Sequence, residues 1–223
     1  MEQYHEIISV IALTLGVSWA SGINLYAAML MLGLLGASGH ADLPAGLQIL
    51  SHPLVIGAAG LMYAIEFFAD KVPGIDSGWD SLHTFVRIPA GAVLAFGAVG
   101  EVGPAAQLAA AIVGGSLAAG THFAKAGSRV LVNTSPEPFS NWTASATEDA
   151  AVIGGLWLAL NHPVTFLGAA IVFIGLMIWL LPKLWRIIVR VFAQIKRLLN
   201  ASPPRPLLAI QDKPAESFSL PHG

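Results

Sequence analysis

Glu66 and Asp70 stand four residues apart among apolar neighbours, a spacing that puts both carboxylates on one face of a helix. Paired carboxylates in such a place share a proton or hold a hard cation. Asp76, Asp80 and His83 follow at intervals that share a face wherever the stretch is helical, and Arg87 precedes Pro89 and Gly91. In the second half His122, Lys125 and Arg129 recur at three- and four-residue spacing and make a basic face. An acidic segment opposite a cationic one makes either intramembrane ion pairs or an anion-binding pocket. Ser21 and Asn24 in the first half, and Thr121 beside His122 in the second, are polar groups inside apolar runs. The candidate substrate-binding set is therefore Ser21, Asn24, Glu66, Asp70, Asp76, Asp80, His83, Arg87, Thr121, His122 and Lys125. Asp76 and Asp80 read equally well as solvated loop charges. Glu66 does not, because an ionisable group flanked by apolar residues in a span is costly without a partner.

Other chemistries are closed off. The chain has no cysteine, which excludes disulfides, thiolate zinc sites and a cysteine nucleophile. His40, His52, His83, His122 and His162 are too scattered for a metal motif, so no metal, cofactor or catalytic residue is assigned. His52-Pro53 and His162-Pro163 read instead as helix ends.

The elements that position these groups are apolar. Of 223 residues 55% are hydrophobic and 11% charged, against about 25% charged in soluble domains. A membrane span needs about 20 apolar residues, since backbone groups in hydrocarbon find no water. Six segments approach this length, at 7–36, 53–69, 85–100, 104–132, 145–160 and 163–181. In the fifth, Ser145 and Glu148 have the form of a capping box at a helix start. The flank before residue 7 is acidic, unlike the basic start of a signal peptide. With six spans and both termini cytoplasmic, Lys71, Arg87, Lys125, Arg129 and the basic C-terminal region all fall on the inner side, as Lys and Arg do in membrane proteins.

Self-similarity divides the chain. Residues 18–24 align with 116–122, and Val55-Ile56-Gly57 with Val152-Ile153-Gly154, at shifts of 98 and 97 residues. Three spans per half predict an inverted repeat, the architecture of many transporters. Gly22 and Gly120 fall midway along the two long first helices and predict a break in each, with close helix packing as the alternative. The predicted fold is thus all-α and polytopic, in two inverted three-helix repeats (1–103 and 104–181). A basic amphipathic helix (182–200) and a proline-containing disordered tail (201–223) follow. The stretch between Pro73-Gly74 and Pro89 is a candidate re-entrant loop.

After Pro182, Lys183, Arg186, Arg190, Gln194 and Arg197 recur every three or four residues, opposite Leu184, Ile188 and Ile195. Such a helix suits anionic lipids of the cytoplasmic leaflet. Membrane lipids and further copies of the chain are the partners it allows; nothing points to nucleic acid.

The string from Glu66 through Asp70, Lys71, Pro73, Gly74, Asp76 and Ser77, then Asp80, His83, Arg87, Pro89 and Gly91, resembles a family of small bacterial inner-membrane proteins known only as a domain of unknown function. The resemblance covers about residues 7–180 and implies a bacterial inner-membrane location without an activity. Arg87 and Pro89 alone resemble the re-entrant loops of lipid-carrier translocases. The expected function is a small transporter, channel or lipid-linked translocase with a polar site between the halves. A membrane enzyme using a metal held by Asp76, Asp80 and Glu66 or Asp70, and a membrane scaffold, are the alternatives.

Overall fold

Asn24 decides the course of the first helix. In the computed structural model, which describes residues 2–72, 74–133 and 138–199, helix α1 covers Glu2–Ala37 but leaves helical geometry at Asn24, with φ −145° and ψ 94°. The chain doubles back there. Glu6, Ser9, Val10 and Leu13 line one cleft of about 480 Å³ together with Leu35, His40, Ala41 and Asp42. In a straight helix residues 6 and 40 would be about 50 Å apart at 1.5 Å per residue. α1 is therefore two arms, 2–23 and 25–37, meeting at a tip. The tip has a local cause: Asn24 Oδ1 accepts a hydrogen bond from the backbone N–H of Ala27 at 2.9 Å, the N-cap geometry that starts a new helix.

Gly22 is not itself the break. A Cβ there would lie 2.5 Å from the Ala118 carbonyl oxygen and 2.7 Å from Thr121 Cβ, so its role is close approach between helices. Gly22→Ala is expected to cost about 1–3 kcal/mol through overpacking. The check is a lowered melting temperature of the purified protein; an unchanged one would show that the contact relaxes freely.

The 3₁₀ helix Ala45–Ser51 leads into α2 (Pro53–Ala69) through a 70° bend, with His52 Nδ1 accepting from Leu54 N–H as the cap. α3 is Ile75–Ala98, α4 Pro104–Val132, α5 Pro138–Asn161 and α6 Pro163–Leu199. No strand occurs among the described residues. Small residues set the directions. Gly33 lies against Leu50 and Ile56, so α2 starts where the arms of α1 end, called here the near end. α3 returns to that end, where Gly97 packs on Gly46. α4 leaves it again beside the first arm: Gln3 to Leu15 share a groove with Val99 to Val113, Gly114 abuts Ser18, and Gly22 meets Ala118 to His122. α5 runs back, pairing Asp149 with Asn24 and Ala159 with Gly16.

Several expectations change. The predicted break at Gly120 is absent: α4 is continuous, and Gly120 faces the Met177 side chain. The matched stretches 18–24 and 116–122 run side by side in the same direction, where an in-plane two-fold axis would set them antiparallel. An inverted three-helix repeat does not describe them. The candidate re-entrant loop is instead helical from Ile75 through Gly91, as the first part of α3, with Pro89 tolerated inside the helix; Pro73 lies outside the described residues. α5 begins seven residues before the predicted capping box. Pro182 does not end α6, so the predicted separate helix 182–200 continues it. Residues 189–223 form a second unit, whose part from 200 onward, together with the Gln194, Ile195 and Arg197 side chains, lies outside what is described.

By length and composition three helices can cross a membrane: Gln3–Ala37, Ile75–Ala98 and Pro163–Arg190. The bent pair Ala45–Ser51 and Pro53–Ala69 makes a fourth if counted as one span. The first of these contains the Asn24 turn. α4 and α5 are long enough, at about 44 and 36 Å, but no 18-residue stretch of either is apolar enough to count with these.

Candidate functional site

The tip of α1 ends on a buried charge network. Glu66 comes from the last turn of α2 and Asp70 caps its end. Asp80 and Arg87 lie on α3, Lys125 and Arg129 on α4, and Glu148 on α5. The seven- and four-residue spacings within α3 and α4 keep each set on one face. Arg87 Nη2 donates to Glu66 Oε1 at 2.5 Å, and Nη1 donates to Asp80 Oδ1 at 2.8 Å. Lys125 Nζ sits among four carboxylates: Asp70 at 2.9 Å, Glu148 at 3.3 Å, Glu66 at 3.5 Å and Asp80 at 3.8 Å. Arg129 Nη2 holds Glu148 at 2.7 Å and Asp70 at 3.3 Å.

Burial makes these pairs matter. The side chains of Glu66, Asp70, Asp80, Arg87, Lys125 and Arg129 are at most 3% exposed, whereas Glu148 is 17% exposed. Four carboxylates meet three cations, leaving one negative charge in excess. Glu66 Oε2, Asp70 Oδ1 and Asp80 Oδ2 receive no hydrogen bond from protein groups. Buried acceptors are seldom left so.

Neutral groups complete the site. At the tip Asn24 Nδ2 donates to Asp149 Oδ1 at 2.9 Å, Tyr63 hydrogen-bonds the same carboxylate, and Lys125 Nζ donates to the Ile23 carbonyl at 3.0 Å. His122 Nδ1 lies 3.3 Å from Arg87 Nη1 and accepts from it, while Nε2 donates to Thr84 Oγ1 at 2.7 Å. His83 donates through Nδ1 to the Trp79 carbonyl and accepts from the Tyr26 hydroxyl at Nε2. Ser21 Oγ donates to the Arg87 carbonyl, and Thr121 only to Leu117 of its own helix. Asp76 caps the start of α3, accepting from the N–H groups of Gly74 and Ser77 and from Asn133 Nδ2. Asn133 in turn accepts from Asn141. Lys71, on the turn after α2, lies 2.9 Å from the Phe67 ring centroid and donates to the Phe67 carbonyl. Burial lowers its pKa from the ordinary lysine value.

Of the residues read from sequence, Glu66, Asp70, Asp80, Arg87, His122 and Lys125 are brought together. Asn24 joins through Asp149, Asp76 and His83 form flanking hydrogen-bonded groups, and Ser21 and Thr121 stand apart from the charges. The sequence alone gives Glu148 as a helix cap and Arg129 only as part of a basic face, and it does not single out Asp149, Asn133, Asn141 or Tyr26. Glu148 and Asp149 carried a signal of their own, as adjacent acids in an otherwise uncharged 24-residue helix. Among the described residues no three His, Asp or Glu side chains converge on a metal position. Arg87, Lys125 and Arg129 take up the space between the carboxylates.

A family described as "Domain of unknown function (DUF4126)" matches residues 11–183. No curated protein and no solved structure matches the chain.

Proposed function

The chain belongs to the DUF4126 family, and since that membership carries no activity with it, we propose from the site alone that the protein is a small integral membrane transporter. Its transport site is the charge network under the tip of α1. One observation carries the reading: a broken helix tip ends inside the bundle on seven ionisable groups drawn from four other helices. Irregular backbone at membrane depth is tolerated where it lines a polar site, and transporters build substrate sites this way. Stability does not account for the charges, because apolar residues of similar volume usually serve at least as well as a buried ion pair. Lys125, with four carboxylate partners, can trade one for another as the helices shift. The acidic excess favours cationic or protonated cargo over an anion. The enzyme alternative loses its metal position to the three basic side chains.

The same geometry supports one arrangement in the membrane. α2 to α6 make five crossings, and α1 enters from the near end, turns at Asn24 and leaves by the same end. Lys71, Arg87, Lys125, Arg129, Lys183 and Arg186 all lie toward the far end, whereas the near end carries Glu6, Asp42 and Glu101 and no Lys or Arg among the described residues. The far end is then cytoplasmic, and residues 2–6 are external, in place of the cytoplasmic N-terminal segment read from sequence. Because the chain lacks cysteine, any introduced one is the sole thiol. In intact cells a membrane-impermeant maleimide is expected to label Gln3→Cys, Ser38→Cys and Glu101→Cys, but Lys71→Cys and Arg186→Cys only after lysis. Labelling of Gln3→Cys together with Lys71→Cys would restore a crossing first helix.

Transport is tested on proteoliposomes adsorbed to a capacitive sensor and given steps of H⁺, Na⁺, K⁺ or ammonium. A current above that of empty liposomes for at least one of these is expected. None for any of them overturns the reading.

A further inference from the structure

Glu148 is the one member of the network that reaches its surface. Its carboxylate pairs inward with Arg129 and Lys125, and its other side borders an open surface strip of α5 formed by Ser140, Thr143 and Thr147 with Phe139 and Ala144. The three hydroxyl residues follow at three- and four-residue spacing, so they form one stripe from the far-end start of α5 up to Glu148. The Thr143 and Thr147 hydroxyls donate to their own helix carbonyls, which leaves their oxygen lone pairs free to accept. The strip is therefore a line of polar oxygens along the surface of α5 that ends at a carboxylate touching two buried cations.

We propose that the ligand of the network is a proton and that Glu148 is the port through which it passes, so that transport is coupled to protons. This rests on the transporter reading of the same site. Three features select a proton. The network is one negative charge in excess, which disfavours an anion. Its three undonated carboxylate oxygens belong to residues that are at most 2% exposed and surround Lys125. No set of acidic groups converges as metal ligands among the described residues. The groups that face Glu148 are Arg129 and Lys125 of α4; Asp70 of α2 and Asp80 of α3 are joined to it through those cations, and Asp149 precedes no other charge on α5.

The transfer balances. A hydronium ion at the strip gives its proton to a Glu148 carboxylate oxygen: an O–H bond forms, one in hydronium breaks, water is left, and the pair with Arg129 loosens. The Lys125 ammonium then gives one N–H proton to Glu66, Asp70 or Asp80 and takes the Glu148 proton in exchange. The result is a neutral carboxylic acid inside the network, Glu148 ionised again, and Lys125 unchanged.

Infrared spectroscopy of the purified full chain reads this directly through the carbonyl stretch of a protonated, buried carboxyl group. The wild-type protein is expected to gain that band on acidification and to shift it on transfer to deuterated water. In Glu148→Gln the shift is expected to slow by about a hundredfold, the low end of what a positioned proton-transfer group contributes. Thr147→Trp covers the strip without touching an ion pair and is expected to slow it likewise, which keeps the test decisive if Glu148→Gln does not fold. Wild-type exchange rates in whichever of these variants fold overturn the port, and a wild-type protein without the band overturns the proton. Neither result depends on the currents that decide the transporter reading.

Discussion

Arg87→Met is expected to lower stability by about 3–5 kcal/mol, the usual cost of removing one partner from a buried ion pair. Arg87 is completely buried, and its two Nη atoms hold Glu66 and Asp80. Methionine matches the length of the stem but leaves two carboxylates inside the bundle with Lys125 as their only nearby cation, at 3.5 and 3.8 Å. For a chain of this size that loss should lower the melting temperature by roughly 6–20 °C at 2–4 °C per kcal/mol. Thermal unfolding in detergent measures it. Adding Glu66→Gln to Arg87→Met should recover part of the loss, because one stranded charge is then gone, and the pairwise coupling is read from the double-mutant cycle. Equal melting temperatures for wild type and Arg87→Met would mean that Glu66 and Asp80 are neutral in the folded protein and need no guanidinium.

The same cost argument explains which parts of the molecule were legible in the sequence. α2 begins at Pro53 and ends at Ala69, and α4 runs from Pro104 to Val132, both as predicted. In each case a proline at the first turn and a change in polarity at the end leave little freedom. Glu66, Asp70, Arg87 and Lys125 were legible because a charged side chain in an apolar helix has few ways to exist without a partner.

What failed had a different origin. A break at Gly22 is expected from the sequence and falls two residues on, at Asn24, but a hydropathy window over 7–36 measures length alone and does not show that the two arms fold back on one another. The turn depends on an Asn24 side chain that caps the second arm and reaches Asp149, 125 residues away. Self-similarity of 18–24 and 116–122 was present in the sequence, but it reflects a shared need for small residues where α1 and α4 lie in contact. Gly22 against Ala118 and Thr121 is that contact. Small-residue matching reports close packing, and packing does not fix the relative direction of two helices. Glu148 was misread because a local rule, Ser followed by Glu three residues on, was satisfied without being used. Its real partners are Arg129 and Lys125 on another helix.

Glu66→Gln separates transport from structure at the centre of the site. Glu66 Oε1 accepts from Arg87 at 2.5 Å while Oε2 has no donor. Glutamine keeps the volume and can keep the acceptor facing Arg87, and Asp80 still holds the guanidinium at 2.8 Å. The variant therefore removes the excess negative charge without emptying space or stranding a cation. If that excess is what binds a proton, acidification of the detergent-solubilised variant should take up one proton fewer per chain than the wild type, as counted by potentiometric titration. The melting temperature should stay within about 2 °C of wild type, since the change in stability is then under about 1 kcal/mol. Proton-driven current through proteoliposomes should be abolished. A purely structural ion pair predicts the opposite combination, in which proton uptake and current are unchanged and the melting temperature falls. Both properties measured on one preparation distinguish the two, because retained current with a lowered melting temperature would remove Glu66 from the mechanism and leave it as a support for Arg87.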